Sequence, residues 1–190
     1  MTPDASHCRK PTALITAERY KPHPESVYKS GFKAIVSQLT RYSGSPLAGI
    51  KSANYLENML AKREAIGAGA DEAIRINDRG FIAEAIMSNI FFIAGDILMT
   101  PSPESGILPG ITREAVIELA GRLGIVTIER HFTMAELIGA DEAFLTNSLI
   151  EVMPLTSIDG KPVGSGKPGS ITERLRSEYK GLVKDETGNS

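Results

Sequence analysis

An α+β fold is what this 190-residue sequence predicts, on three observations. Apolar runs of strand length recur along the chain. Several are joined pairwise by tight turns into hairpins. The helical stretches fall between groups of strands instead of alternating with them one for one. Hydrophobic residues make up 42% and charged residues 23%, a balance that can bury a core and excludes wholesale disorder.

The elements follow in order. Residues 1–10 are polar and without periodicity, so a floppy or unrelated tail is expected. Thr12–Ala17 (TALITA) reads as a short strand, and residues 21–26 (KPHPES) as a linker, because two prolines oppose regular pairing. Gly31 opens FKAIVSQL, a second strand. Ala53–Gly67 places Leu56, Leu60, Ala61 and Ala65 on one face with charges between them, which predicts an amphipathic helix. EAIRIND, the turn Asp78–Gly80 and FIAEAI form a hairpin, and NIFFIAGDILMT repeats that pattern around Gly95 and Asp96. Thr112–Gly124 is the clearest helix, with Thr112 as its cap, Val116, Leu119, Ala120 and Leu123 on its core face and Gly124 as its stop. VTIERH is a strand, TMAELIG a short helix and EAFLTNS a strand. LIEVMPLTSIDGKPVG is a strand ending in a turn at Asp159 and Gly160. Ser170–Leu182 closes the chain as a helix, and residues 184–190 are expected to fray.

Several function classes drop out. The 21 basic and 23 acidic residues leave a net charge of −2 with no basic stripe, so neither nucleic acid nor an anionic membrane is an expected partner. The longest apolar stretch, Ile86 to Ala94, is broken by Ser88 and Asn89 and is too short to span a bilayer. The N-terminus has no apolar signal region, and the single Cys8 permits neither an internal disulfide nor a cysteine zinc cluster; a reducing cytoplasm is the expected compartment. His7, His23 and His131 have no ligand spacing, so no metal is expected. SIDGKPVGSGKPG misses phosphate-loop spacing and puts Pro168 where a helix should start, so it reads as a hairpin with a glycine-rich tip. SGSPLAG lacks the spacing of a nucleophile elbow.

What remains is a set of residues that makes sense together. Alone, Lys51 before a helix reads as a solvated lysine. Glu84 lies inside the apolar stretch FIAEAIMSNIFF, where an unpartnered carboxylate would cost several kcal/mol. ILPGITREA puts the amides of Ile111 and Thr112, with a hydroxyl, at a helix N-terminus, the geometry that holds a phosphate. FLTNSLIEVMP adds a second cluster of hydroxyl and amide groups at a strand end. An amine, a buried carboxylate and a phosphate nest are the three things pyridoxal phosphate requires.

KSANYL, GFIAE followed by SN, LPGITR, and ADEAFLTNS followed by Glu151 and Pro154 occur in the order in which the class IV, fold-type-IV pyridoxal-phosphate enzymes carry them. The chain resembles that family from about Thr12 to Tyr179. Branched-chain and D-amino acid aminotransferases and 4-amino-4-deoxychorismate lyases belong to it. The resemblance implies the family's large C-terminal domain, a pseudo-barrel of mixed strands with flanking helices, over residues 31–183. It implies Lys51 as the Schiff-base lysine and proton shuttle, Glu84 as partner of the pyridinium nitrogen, and Tyr55 as donor to the phenolate oxygen. Ile111, Thr112 and Ser148 fall where the family binds phosphate, and Leu149 and Ile150 on the turn that meets the substrate carboxylate. A homodimer is implied as well.

Two departures stand out. Ala85 replaces the family's glycine after the acidic residue, and the family's small N-terminal domain is represented only by residues 11–30, as a remnant strand and linker. The sequence therefore reads as a truncated product or a fragment. Thr146–Leu149 (TNSL) and Met153-Pro154 resemble the lyases, whereas Glu151 resembles the transaminases. The expected activity is amino transfer between a branched-chain amino acid and a 2-oxo acid. The alternatives are aminodeoxychorismate lyase, giving 4-aminobenzoate and pyruvate, and a catalytically dead fragment.

Overall fold

The computed structural model describes residue 6 and residues 8–188. The expected floppiness of residues 1–10 therefore falls largely outside the described residues, as does the fraying of residues 189–190. Chain order is α1 (Glu25–Ser30), β1 (Phe32–Val36), α2 (Leu56–Gly67), β2 (Glu72–Ile76), β3 (Ile82–Ala85), β4 (Asn89–Ala94) and β5 (Ile97–Pro101). A 3₁₀ turn at Pro103–Ser105 leads to α3 (Ile111–Arg122), β6 (Val126–Arg130), α4 (Met134–Ile138), β7 (Glu142–Asn147), β8 (Glu151–Ile158), β9 (Lys161–Pro162) and α5 (Ser170–Thr187).

The strands among the described residues make one mixed sheet, ordered β3-β2-β1-β8-β7-β4-β5-β6 with β9 beside β8. β1 runs parallel to β2 and β8, and β5 parallel to β6; the hairpins β2–β3 and β4–β5 are antiparallel, as their turn residues predicted. The sheet curls until its two edges meet. The Ile82 amide at the β3 edge donates to the carbonyl of Phe132, just beyond β6, and Phe81 stacks on His131 at 5.1 Å. This near closure is the expected pseudo-barrel. Inside the curl lie Phe32, Ile74, Ile82, Phe92, Phe132, Leu145 and Met153. The alternate side chains of β4, β7 and β8 point outward: Phe91 and Phe144, stacked at 4.9 Å, join Val152 against Val116, Leu119 and Ala120 of α3 and Leu175 of α5.

The structure departs from the sequence expectation at five places. Thr12–Ala17 is not a strand: it pairs with nothing, and Leu14 and Ile15 are 85% and 94% exposed. The apolar run had strand propensity but has no sheet neighbour, and an extended segment gains nothing without one. The expected linker contains a helix, α1, because Pro24 caps it instead of interrupting it. In α2, only Ala61 and Ala65 are buried while Leu56 and Leu60 are exposed, and the helix begins at Leu56, three residues later than expected. In α3, Gly110 is the cap and Thr112 lies buried within the first turn. α5 also runs on to Thr187 and closes at Gly188 in the left-handed region, so residues 184–187 do not fray.

A clasp ties α1 to α5. Arg176, buried on α5, donates to Glu25 at 2.7 Å and lies over the Tyr28 ring at 4.1 Å. The hydrogen bond from Arg176 holds the Glu25 carboxyl down at about 2, against an ordinary 4.5. A depressed carboxylate contributes stability that is present above its unfolded value and lost as pH falls toward the folded one. Glu25→Gln is expected to remove part of the acid sensitivity between about pH 4.5 and 2, read from thermal midpoints across that window. An unchanged acid limb would refute the clasp's contribution.

Candidate functional site

Each wall of the site is placed by a local rule. β3 brings Glu84 to the rim of the curled sheet, and the chain between the 3₁₀ turn and α3 folds over it. The Leu108 amide donates to Glu84 Oε2 at 2.8 Å, and Arg41 Nη2 lies 3.0 Å from Oε1. Arg41, just beyond β1, is held from behind by the carbonyls of Gly106 and Ala48. Gly106 sits at φ +85, and a Cβ there would meet the Ser43 backbone at 2.8 Å, so this approach requires glycine. Burial pushes the Glu84 carboxyl up to about 7, against the opposing pulls of Arg41, the Leu108 amide, Arg75 and Lys51.

The loop that reaches Glu84 runs directly into the N-terminus of α3, which also lines the site. The first intrahelical bond of α3 runs from the Glu114 amide to Gly110, so the amides of Ile111, Thr112 and Arg113 have no intrahelical acceptor. A Cβ added at Gly110 would press on Asn89 Oδ1 and displace the side chain that fixes this loop by donating to the Leu108 carbonyl. The end of β7 completes the wall with Thr146, Asn147 and Ser148.

Between these walls is a cavity of about 480 Å³. It brings together Lys51, Tyr55, Glu84, Ile111, Thr112 and Ser148, six of the eight residues singled out from sequence. Leu149 and Ile150 do not line it. Leu149 is exposed and Ile150 packs in the interior core, while the amides of both donate to Asn147 Oδ1. Their carbonyls accept from Tyr20 and Tyr28. Sequence reasoning missed Arg41, whose one signal was an arginine beyond the exit of an apolar strand. Thr146 and Asn147 fell within the hydroxyl and amide cluster FLTNSLIEVMP, but sequence reasoning assigned neither an individual role.

Among the described residues no group of three or more His, Cys, Asp or Glu could hold a metal, and no helix is long and apolar enough to cross a membrane.

A curled mixed sheet with a lysine, a buried carboxylate and a helix N-terminus around one cavity defines a class of small-molecule site that takes an anionic ligand bearing a cationic centre. The family follows from comparison. The sequence profile of amino-transferase class IV matches residues 2–158, and the chain belongs to that family. A protein provisionally assigned as a branched-chain-amino-acid aminotransferase from Methanocaldococcus jannaschii is 37% identical over 180 residues, covering 94% of this chain and 62% of that protein. The Escherichia coli branched-chain amino acid aminotransferase superposes with a TM-score of 0.78 at 36% identity, over 81% of this chain and 52% of that one. A Legionella pneumophila protein provisionally assigned as a 4-amino-4-deoxychorismate lyase superposes with a TM-score of 0.79 at 32% identity, over 86% and 58%. The chain thus spans between half and two thirds of the length of these relatives.

Proposed function

We propose that residues 31–183 are the pyridoxal 5'-phosphate domain of an aminotransferase that moves an amino group between a branched-chain amino acid and a 2-oxo acid. Residues 11–30, which form no strand here and include α1, are read as the remnant of a smaller domain and its connection to this one. The observation that carries the proposal is the single cavity bringing Lys51, Glu84 and the α3 N-terminus together.

The donor set fits the cofactor. Three amides with no intrahelical acceptor, the Thr112 and Ser148 hydroxyls and the orphaned Thr146 hydroxyl form an end of the cavity suited to a phosphate. Glu84 lines the same cavity, beside Arg41. The cofactor would supply an aldehyde for amines and an electron sink for the bonds at the substrate carbon. Lys51 provides the amine that anchors it and then moves a proton to and from the substrate carbon. Glu84 would receive the ring nitrogen; a positive charge there would draw its carboxyl back down from about 7 and keep it ionised. Tyr55, at the head of α2, would donate to the ring oxygen; the turn of Leu149 and Ile150, which the family resemblance gives to the substrate carboxylate, follows the cavity-lining Ser148 with both its amides held by Asn147.

A homodimer in the cytoplasm is the proposed state. Tyr42, Leu47, Ile50, Met87 and Ile111 are apolar, exposed and on the cavity wall, a surface of the kind that a partner covers. Aminodeoxychorismate lyase is the second reading, favoured by Thr146–Leu149 and by the structural likeness to the Legionella protein. Titration with pyridoxal phosphate tests the proposal. A new absorbance band at roughly 410 nm is expected for the lysine adduct, followed by consumption of leucine with 2-oxoglutarate. No band would point to a dead fragment, and 4-aminobenzoate from aminodeoxychorismate would favour the lyase.

A further inference from the structure

We propose that Thr146 is a further ligand of the cofactor, its hydroxyl donating to the phosphate. The inference rests on the cofactor reading above and adds a residue to it. Thr146 is fully buried on β7, and its Oγ1 has no hydrogen-bond partner. Other buried threonines are satisfied: Thr100 donates to Ile90, Thr156 to Ser30 and Thr172 to Glu142. The Thr127 hydroxyl is also unpartnered, but it lies on β6, away from the cavity. Thr146 is on the cavity wall.

Strand alternation fixes the end of the cavity to which it belongs. Phe144 packs against α3 and α5, and Leu145 packs inside the curl, so Thr146 falls on the α3 side with Phe144. Its register partner on β4 is Asn89, the residue that holds the Leu108 carbonyl and abuts Gly110 at the head of α3. The orphaned hydroxyl therefore lies on the side of the free amides. A buried hydroxyl without a partner is destabilising, and such groups persist where a ligand completes them. Free amides can only donate, so the group that satisfies amides and hydroxyl together is a multi-acceptor anion, and a phosphate monoester has the oxygens for it.

Thr146→Val keeps the shape and removes the hydroxyl; Thr146→Ser keeps the hydroxyl. The ligand-free Val variant is expected to melt higher than wild type, because the orphan is gone. Its affinity for pyridoxal phosphate is expected to fall about tenfold, the size of one hydrogen bond to a charged group, while its affinity for pyridoxal, which lacks the phosphate, stays unchanged. Inorganic phosphate should compete less well against the variant's ligand, and the Ser variant should bind within about twofold of wild type. If the Val variant does not fold, Thr146→Ala is read in the same way for affinity. Equal affinity for pyridoxal phosphate, equal losses for both ligands, or a lower melting point of the free Val variant would overturn the assignment. A wild-type chain that forms no adduct at all would overturn the cofactor reading and this inference with it; an adduct indifferent to Thr146 would overturn this inference alone.

Discussion

Lys51→Ala abolishes the pyridoxal phosphate adduct and leaves the melting temperature nearly unchanged; that is the largest effect expected of any single substitution. Among the described residues that wall the cavity, Lys51 is the only lysine, so no second amine is placed to take over. Its side chain is exposed in the segment before α2, and substitutions at such positions ordinarily change stability by no more than about 0.5 kcal/mol. The band at roughly 410 nm should vanish at every cofactor concentration, while far-ultraviolet dichroism and the thermal midpoint stay as in wild type. A residual band of normal intensity would move the anchor elsewhere.

Glu84→Gln should fold and lose most turnover when measured in the complete enzyme, by about 100- to 1,000-fold, the usual size for losing one preorganised charge contact. A neutral amide cannot hold a ring nitrogen protonated, so the electron sink weakens. The same substitution has a signature that needs no cofactor. With Glu84 raised to about 7 from an ordinary 4.5, the folded chain keeps a proton that the unfolded chain has released. Stability contributed by that proton is full below about pH 4.5 and is lost as pH rises through about 7, a change on the order of 3 kcal/mol. Glu84→Gln should flatten this limb of the stability profile. Turnover close to wild type would remove the catalytic role, and an unchanged limb would show that burial does not raise this carboxyl.

Much of the fold was legible because it rests on local chemistry. The turn residues at 78–80 and 95–96 specify their hairpins, and Asp159 and Gly160, both with positive φ, close the β8–β9 hairpin as the sequence suggested. Glu84 was legible for a different reason: a carboxylate within FIAEAIMSNIFF has to find partners, and the structure supplies Arg41 and the Leu108 amide. The misses are tertiary. Nothing local in Thr12–Ala17 tells that the sheet offers it no edge, and nothing in Leu56 or Leu60 tells that α2 lays only Ala61 and Ala65 on the sheet. Thr112 has the composition of a cap, yet the helix starts earlier, with Gly110 in the cap position and Thr112 buried in the first turn. The cluster holding Thr146 and Asn147 was legible as polar groups at a strand end. Which of its atoms meet the cavity, and that Arg41 joins them there, depends on the sheet bringing β1, β4 and β7 to one rim, which no sequence spacing records.

The most direct test of the central claim is the position of the covalent label. The wild-type chain is incubated with pyridoxal phosphate, reduced with borohydride, digested and mapped by mass spectrometry. One dominant phosphopyridoxyl group is expected, on Lys51. A dominant label on any other lysine, or no label above that of the unfolded chain, would contradict the assignment.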